Sequence, residues 1–200
     1  MSEARDEILA AIESAAPPQP GPVPRVPEAP MPADPTGLLR ARLEQNGGRL
    51  LDAGVREWPH RIDLGRAVET LEDVYCAAGC EAPGVVTRGS AARAGQVHDL
   101  APLDLCVIRA DFAVVENGAC WHVPASAIER AAALLAEHLV VLVDPAALVP
   151  TLREAYDRIP LADTRFGWFL CGPSKTADIE QALVLGAHGP RSMHLVRTQG

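Results

Sequence analysis

The residues with most scope for chemistry lie between Gly172 and Pro190 and around Glu116. Gly172-Pro173-Ser174-Lys175-Thr176 follows an apolar run, Phe166 to Cys171, whose length and aromatic content predict a buried strand. Gly172-Pro173 is a turn pair. From Ala177 the pattern predicts a helix, with Asp178 and Glu180 near its positive end and Ser174 or Thr176 as its N-cap. A strand, a Gly turn, two hydroxyls and a helix N-terminus would together seat a small carboxylate or phosphate-type anion. The plainer reading is an ordinary strand–turn–helix joint. A nucleotide P-loop is excluded: Gly167 and Gly172 have the right spacing, but Pro173-Ser174 follows, and Pro173 has no N–H to offer a phosphate.

Glu116 stands in Glu116-Asn117-Gly118, between two apolar runs. A carboxylate at a strand end can act as base or nucleophile, or it is simply a polar hairpin residue. His188, in Ala187-His188-Gly189-Pro190, sits in a turn-rich loop, where either a functional or a solvated histidine would fit. Glu116 and His188 are the catalytic candidates. No Gly-x-Ser-x-Gly elbow and no Gly-x-Gly-x-x-Gly occurs, so neither a hydrolase triad nor a dinucleotide fold has its anchor. Of five cysteines, Cys106, Cys120 and Cys171 lie in apolar runs and read as core residues. Cys76 and Cys80 would share a helix face, but no second ligand pair accompanies them, so no metal site is expected. Cluster-binding cysteine runs are also lacking. Scattered, odd-numbered cysteines suit a reducing cytoplasm.

The elements that must position these residues follow from pattern. A net charge of -8 argues against a nucleic-acid partner, and no apolar run is long enough for a membrane span. Residues 1–16 hold a short amphipathic helix carrying Ile8, Leu9 and Ile12. Residues 17–35 contain nine prolines in 19 positions and predict an extended linker. From residue 36 to 200 a single α/β domain is expected. It opens with a helix that stops at Gly47-Gly48 and a strand over Arg49 to Val55. A helix from Asp63 to Gly79 and an apolar piece from Gly84 to Thr87 come next. Strands are predicted at Leu105 to Ile108, Phe112 to Val115, Ala119 to Val123, Leu139 to Val143 and Ser192 to Val196. Asn117-Gly118 marks a hairpin. Ile128 to Leu135 is read as a helix, and a further helix is read from Asp144-Pro145 through Ile159. Apolar strands alternating with helices predict a three-layer open sheet, mostly parallel with an antiparallel hairpin, and ligands outside its carboxyl ends.

Two stretches resemble a known family. Gly172-Pro173-Ser174-Lys175-Thr176-Ala177-Asp178-Ile179-Glu180 with Gly186-Ala187-His188-Gly189-Pro190 resembles the C-terminal signature of LUD-domain proteins, in particular the lactate utilization protein C group. Ala113-Val114-Val115-Glu116-Asn117-Gly118-Ala119 resembles the same family's central segment. Cys120-Trp121-His122 departs from it, where a plainer apolar strand is usual. The resemblance implies a fold of the NagB, ribose-phosphate isomerase and CoA-transferase group. It implies an accessory role in oxidising L-lactate to pyruvate beside iron–sulfur partner subunits, with no cofactor on this chain. The ligand-binding positions it implies are Asn117, Gly118, Gly172, Pro173, Ser174, Thr176, Asp178, Glu180 and Gly189, beside Glu116 and His188. The alternative is a stand-alone CoA-transferase-like or folate cyclo-ligase-like enzyme with Glu116 as its reactive carboxylate.

Overall fold

A computed structural model of the chain describes residues 2–15, 21, 27–54, 56–80, 96–100, 103–160, 162, 164, 166–177, 183–186 and 188–198. Its centre is a five-stranded sheet in which every neighbouring pair is parallel. The order is β1 (Arg49–Asp52), β11 (Ser192–Arg197), β6 (Ala136–Val143), β3 (Leu103–Arg109) and β2 (Val74–Cys76). The three middle strands are apolar on both faces and almost wholly buried. That is what a sheet covered on both sides requires. Helix α2 (Pro35–Gln45) lies against β1, and α3 (Ala127–Leu135) against β3 and β6.

A second, mixed sheet carries the antiparallel hairpin. Its order is β7 (Leu148–Val149), β4 (Phe112–Val114), β5 (Cys120–His122) and β8 (Trp168–Leu170). β4 and β5 pair antiparallel around Asn117-Gly118, as that dipeptide predicts. Helix α4 (Leu152–Arg158) covers a small core of Phe112, Val114, Trp121, Val149, Ala155 and Ile159. A third pairing joins β9 (Lys175–Ala177) to β10 (Leu183–Leu185). The N-terminal helix α1 (Ser2–Ala15) forms, with Ile8, Leu9 and Ile12 exposed. Residues 27–34 have no regular structure, and the backbone N–H of Ala29 donates to Glu154 Oε1 at 2.6 Å. Gly84 to Thr87 lies outside the described residues.

Of the expected helices, the one over 63–79 does not form, the one from Asp144 forms only from Leu152, and the one from Ala177 lies mostly outside the described residues. Over 63–79, Val74–Cys76 is instead an edge strand beside β3. Asp63 caps no helix; its carboxylate accepts the N–H of Gly65 two residues on. The turn into β2 is fixed from far along the chain, since Asp104 accepts the N–H groups of Glu72 and Asp73 at 2.8 and 3.1 Å. Burial pushes the Asp104 carboxyl upward, but those bonds and Arg66 outweigh it and hold it below the usual range. After Asp144 the chain makes a turn and then β7, and α4 begins only at Leu152 behind a Thr151–Glu154 capping box. Pro150 stands between them and ends the helical reading. Ala177, where the third helix is expected to open, is the last residue of strand β9 (Lys175–Ala177), and residues 178–182 lie outside the described residues. β8 belongs to the second sheet and runs antiparallel to β5. The Gly172–Thr176 turn therefore does not follow a central parallel strand.

His194, on β11, is 3% exposed, and among the described residues neither ring nitrogen has a hydrogen-bond partner. Burial, then the charges of Arg49 and His138, push it down from 6.5 to about 4, against a small opposing pull from Asp63. Because its folded value is depressed, the unfolded chain binds this proton first as pH falls. Stability is complete above about pH 6.5 and falls by about 3 kcal/mol as pH drops to about 4. His138 is shifted the same way, chiefly by burial. In urea melts, His194→Leu is expected to lose about 2 kcal/mol less than wild type between about pH 7 and about pH 5. Equal losses in the two proteins would disprove this account.

Candidate functional site

The signature residues meet where three turns cross. The first is the end of α2: Asn46 caps it, and Gly47 takes the left-handed conformation (φ +79°) that lets the N–H of Gly48 return to the carbonyl of Leu43. The second is Asn117-Gly118, between β4 and β5. The third is Cys171-Gly172-Pro173, after β8. Asn46 Nδ2 donates at 3.0 Å both to the carbonyl of Arg42 in its own helix and to the carbonyl of Asn117. That second carbonyl also accepts the Cys171 thiol at 3.2 Å. Asn117 Oδ1 accepts the N–H of Ala119 at 3.0 Å and so fixes its own turn.

The glycines are required by contact as well as by backbone angle. Gly118 (φ +78°) lies directly on α2, where a Cβ would fall 2.8 Å from the backbone nitrogen of Leu43. Gly172 (φ +78°) lies on Asn46, where a Cβ would strike the carbonyl oxygen. Pro173 is buried. The Ser174 N–H donates to the carbonyl of Pro190 at 2.8 Å, and its carbonyl accepts the N–H of Gly186 at 3.0 Å. Gly189 then lies so close that a Cβ would be 3.0 Å from Cβ of Ser174 and 3.3 Å from its hydroxyl. Asn117, Gly118, Gly172 and Pro173 thus form one junction, with Ser174 and Gly189 beside it. His188 is exposed on the loop. Thr176 lies in β9 opposite Val184. Asp178 and Glu180 lie outside the described residues.

Glu116 shares the hairpin, but its carboxylate is turned to α4. Glu116 Oε2 accepts the N–H of Leu152, the first helical residue, at 2.8 Å. An anion at a helix N-terminus is a favourable arrangement in its own right. The thiols offer little nucleophilicity. Burial pushes Cys171 up, against a smaller downward pull from Lys175, and it pushes Cys120 and Cys106 up further. Burial, with Cys80 beside it, takes Cys76 to about 11. Among the described residues no group of three or more His, Cys, Asp and Glu is placed to hold a metal.

Two features escaped sequence reasoning. Asn46 is not singled out there, although an Asn before Gly-Gly is a signal for a capping turn. The other is a buried contact between His122 and Glu129, with Nε2 to Oε1 at 3.4 Å. At that separation the two side chains are neighbours and not a good hydrogen bond. His122 Nδ1 is 2.9 Å from the carbonyl of Arg109, and Glu129 Oε2 accepts the N–H of Ala125 at 3.2 Å. The odd Trp121-His122 sequence in an apolar strand was its only trace.

Fold and junction together define an α/β protein with a parallel central sheet and a mixed second sheet, held by glycine turns. The chain belongs to the LUD-domain family, whose profile matches residues 66–196. It is 30% identical over 104 residues to Lactate utilization protein C of Halalkalibacterium halodurans, an alignment spanning 46% of this chain and 44% of that protein. The fold is also that of a DUF162 family protein from Deinococcus radiodurans, with a TM-score of 0.62 and 18% identity over 84% of this chain and 98% of that one.

The junction predicts large costs for small substitutions. Gly118→Ala and Gly172→Ala each force a left-handed Ala and a backbone collision, so each should lower stability by at least about 2 kcal/mol. Asn46→Ala should cost about 1–2 kcal/mol by leaving carbonyls of two elements short of a donor. Urea midpoints measure all three; a loss below about 0.5 kcal/mol for either glycine variant would refute the close approach.

Proposed function

We propose that this protein serves in lactate utilisation as an accessory subunit of an iron–sulfur-dependent system that oxidises L-lactate to pyruvate. Membership of the LUD family and the likeness to Lactate utilization protein C support the pathway. The observation that carries the accessory role is the engagement of Glu116: the carboxylate that a CoA-transferase-like reaction would use accepts the N–H of Leu152. The same reading gives the electron-carrying clusters to partner subunits. It leaves this chain to bind them and to hold a small anion near Ser174 and Gly189, where backbone groups and a hydroxyl lie close together. A relation to the NagB, ribose-phosphate isomerase and CoA-transferase group is part of the same proposal. No helix among the described residues is long and apolar enough to cross a membrane, and the proposed setting is the cytoplasm.

Growth on L-lactate tests this reading. A deletion strain without another lactate dehydrogenase should fail to grow, and wild type should restore it. Glu116→Gln should also restore growth, since an amide oxygen still accepts from Leu152. A Ser174→Ala, His188→Ala double variant should not. Normal growth of the deletion strain would remove the pathway. Rescue by the double variant would reduce the signature to architecture, and failure of Glu116→Gln in a folded protein would favour a reactive carboxylate.

A further inference from the structure

Helix α1 has the build of an element that packs, yet it packs on nothing among the described residues. Ile8 and Leu9 lie four and three positions before Ile12, so the three share one face. They are 61%, 43% and 61% exposed, and no described side chain of α1 is buried. A helix of 14 residues is marginal in water by itself. Helices of this length take most of their stability from burying an apolar stripe. After α1, the first contact that holds the chain to the domain is the bond from the Ala29 N–H to Glu154, at the start of α4.

Four occupants of the stripe can be compared. The first is the chain's own domain. The fourteen steps from Ala15 to Ala29 can bridge at most about 50 Å, and a domain of this size is only about 40 Å across. A tether of that length would raise the local concentration to the millimolar range. The stripe is exposed all the same. The second occupant, the domain of another copy, offers the same surface without the tether's advantage. The third is α1 of another copy. Three aliphatic side chains cover only about 300 Å² per partner, well short of the roughly 800 Å² of a stable interface. Such a pair would also bring like charges together, since α1 carries four acidic residues against one basic residue, Arg5. The fourth is an anionic membrane surface, which attracts helices rich in Lys and Arg and repels this one. A different protein, with a groove that wraps more of the helix than its own twin could, is the occupant that remains.

We propose that α1 is a tethered helical ligand that seats Ile8, Leu9 and Ile12 in an apolar groove of a different protein, with Lys or Arg on the groove's rim facing Asp6. Asp6 lies three positions before Leu9, at the edge of the stripe. The helix-in-groove mode reads anchors at this spacing. The net negative charge of α1 steers it to a basic rim. Naming that protein as an iron–sulfur subunit rests on the proposed function; the mode of docking rests on α1 alone.

Sedimentation of the full chain with the purified iron–sulfur subunits tests it. Wild type should bind, less tightly as salt rises from about 50 to about 500 mM. Ile8→Gln combined with Ile12→Gln keeps good helix formers in place. It should weaken binding at least about tenfold, with the melting temperature of the domain unchanged. Asp6→Lys should weaken it several-fold, and Ala10→Gln, on the opposite face, should bind as wild type does. The proposal is overturned if wild type does not bind the subunits, or if the double Gln variant binds them equally well. It is also overturned if the stripe instead drives dimerisation of this chain or binding to phosphatidylserine vesicles. Growth on L-lactate separates this result from the pathway reading. If wild type does not restore a deletion strain, the pathway reading fails. If wild type and the double Gln variant both restore it fully, the pathway stands and the docking helix falls.

Discussion

The close approach of α2 to bare glycine backbone is the constraint on which the rest of the structure depends. The central parallel sheet and the mixed second sheet are separate hydrogen-bonded units. Their relative placement needs a fixed contact away from the strand that runs on from β3 into β4. Asn46 supplies it by donating to its own helix and to the Asn117 carbonyl at once. The second bond forms only if the helix end comes down onto Gly118 and Gly172, and neither position has room for a Cβ. Family signature and architecture therefore coincide there: the residues that identify the family are, at this point, residues that let two backbones touch.

That coincidence explains what the sequence could tell. Val107, Val140, Val141, Leu142 and Leu195 lie in continuous apolar runs, and such runs become buried parallel strands with little ambiguity. Asn117-Gly118 specified its hairpin locally. The helix predicted over 63–79 failed because its apolar spacing matched a helical face by count alone. Val74-Tyr75-Cys76 becomes a strand through a partner, β3, and through Asp104, some thirty residues on. Ala177, read as a helix start, instead ends β9: Thr176 before it is β-branched and pairs with Val184, and hydroxyl residues suit a strand end as well as a helix start. In both places strand pairing, with a partner 31 positions on at Val74 and only 8 positions on at Thr176, overrode a local periodicity.

The candidate site was legible to the same extent and for the same reason. Turn chemistry is local, so Gly118, Gly172 and Gly189 could be singled out from sequence. Where side chains point is not local. Nothing near Glu116 announces that its carboxylate meets Leu152, 36 positions later. Asp52 and Arg197 are 145 positions apart and form a contact no motif encodes. The two become neighbours only when β1 is laid beside β11 in parallel register, Asp52 opposite Arg197.

Helix α2 ties these two places together. Its first turn holds Arg197 through Thr36, its middle holds Asp52 through Arg40, and its end holds Asn117 through Asn46. An 11-residue helix is about 16 Å long, so one strut spans from the Asp52–Arg197 pair to the glycine junction. Both ends are fixed by side chains rather than by loops, and Leu39 and Leu43 are fully buried beneath it. Asp34 caps its start by accepting the N–H of Gly37 at 2.8 Å, which spares that end from fraying. Such an element holds two places at a set distance. The segment lies before residue 66, outside the matched stretch of the family. The part of the chain that the profile does not describe is thus the part that joins the signature turns to the Asp52–Arg197 pair.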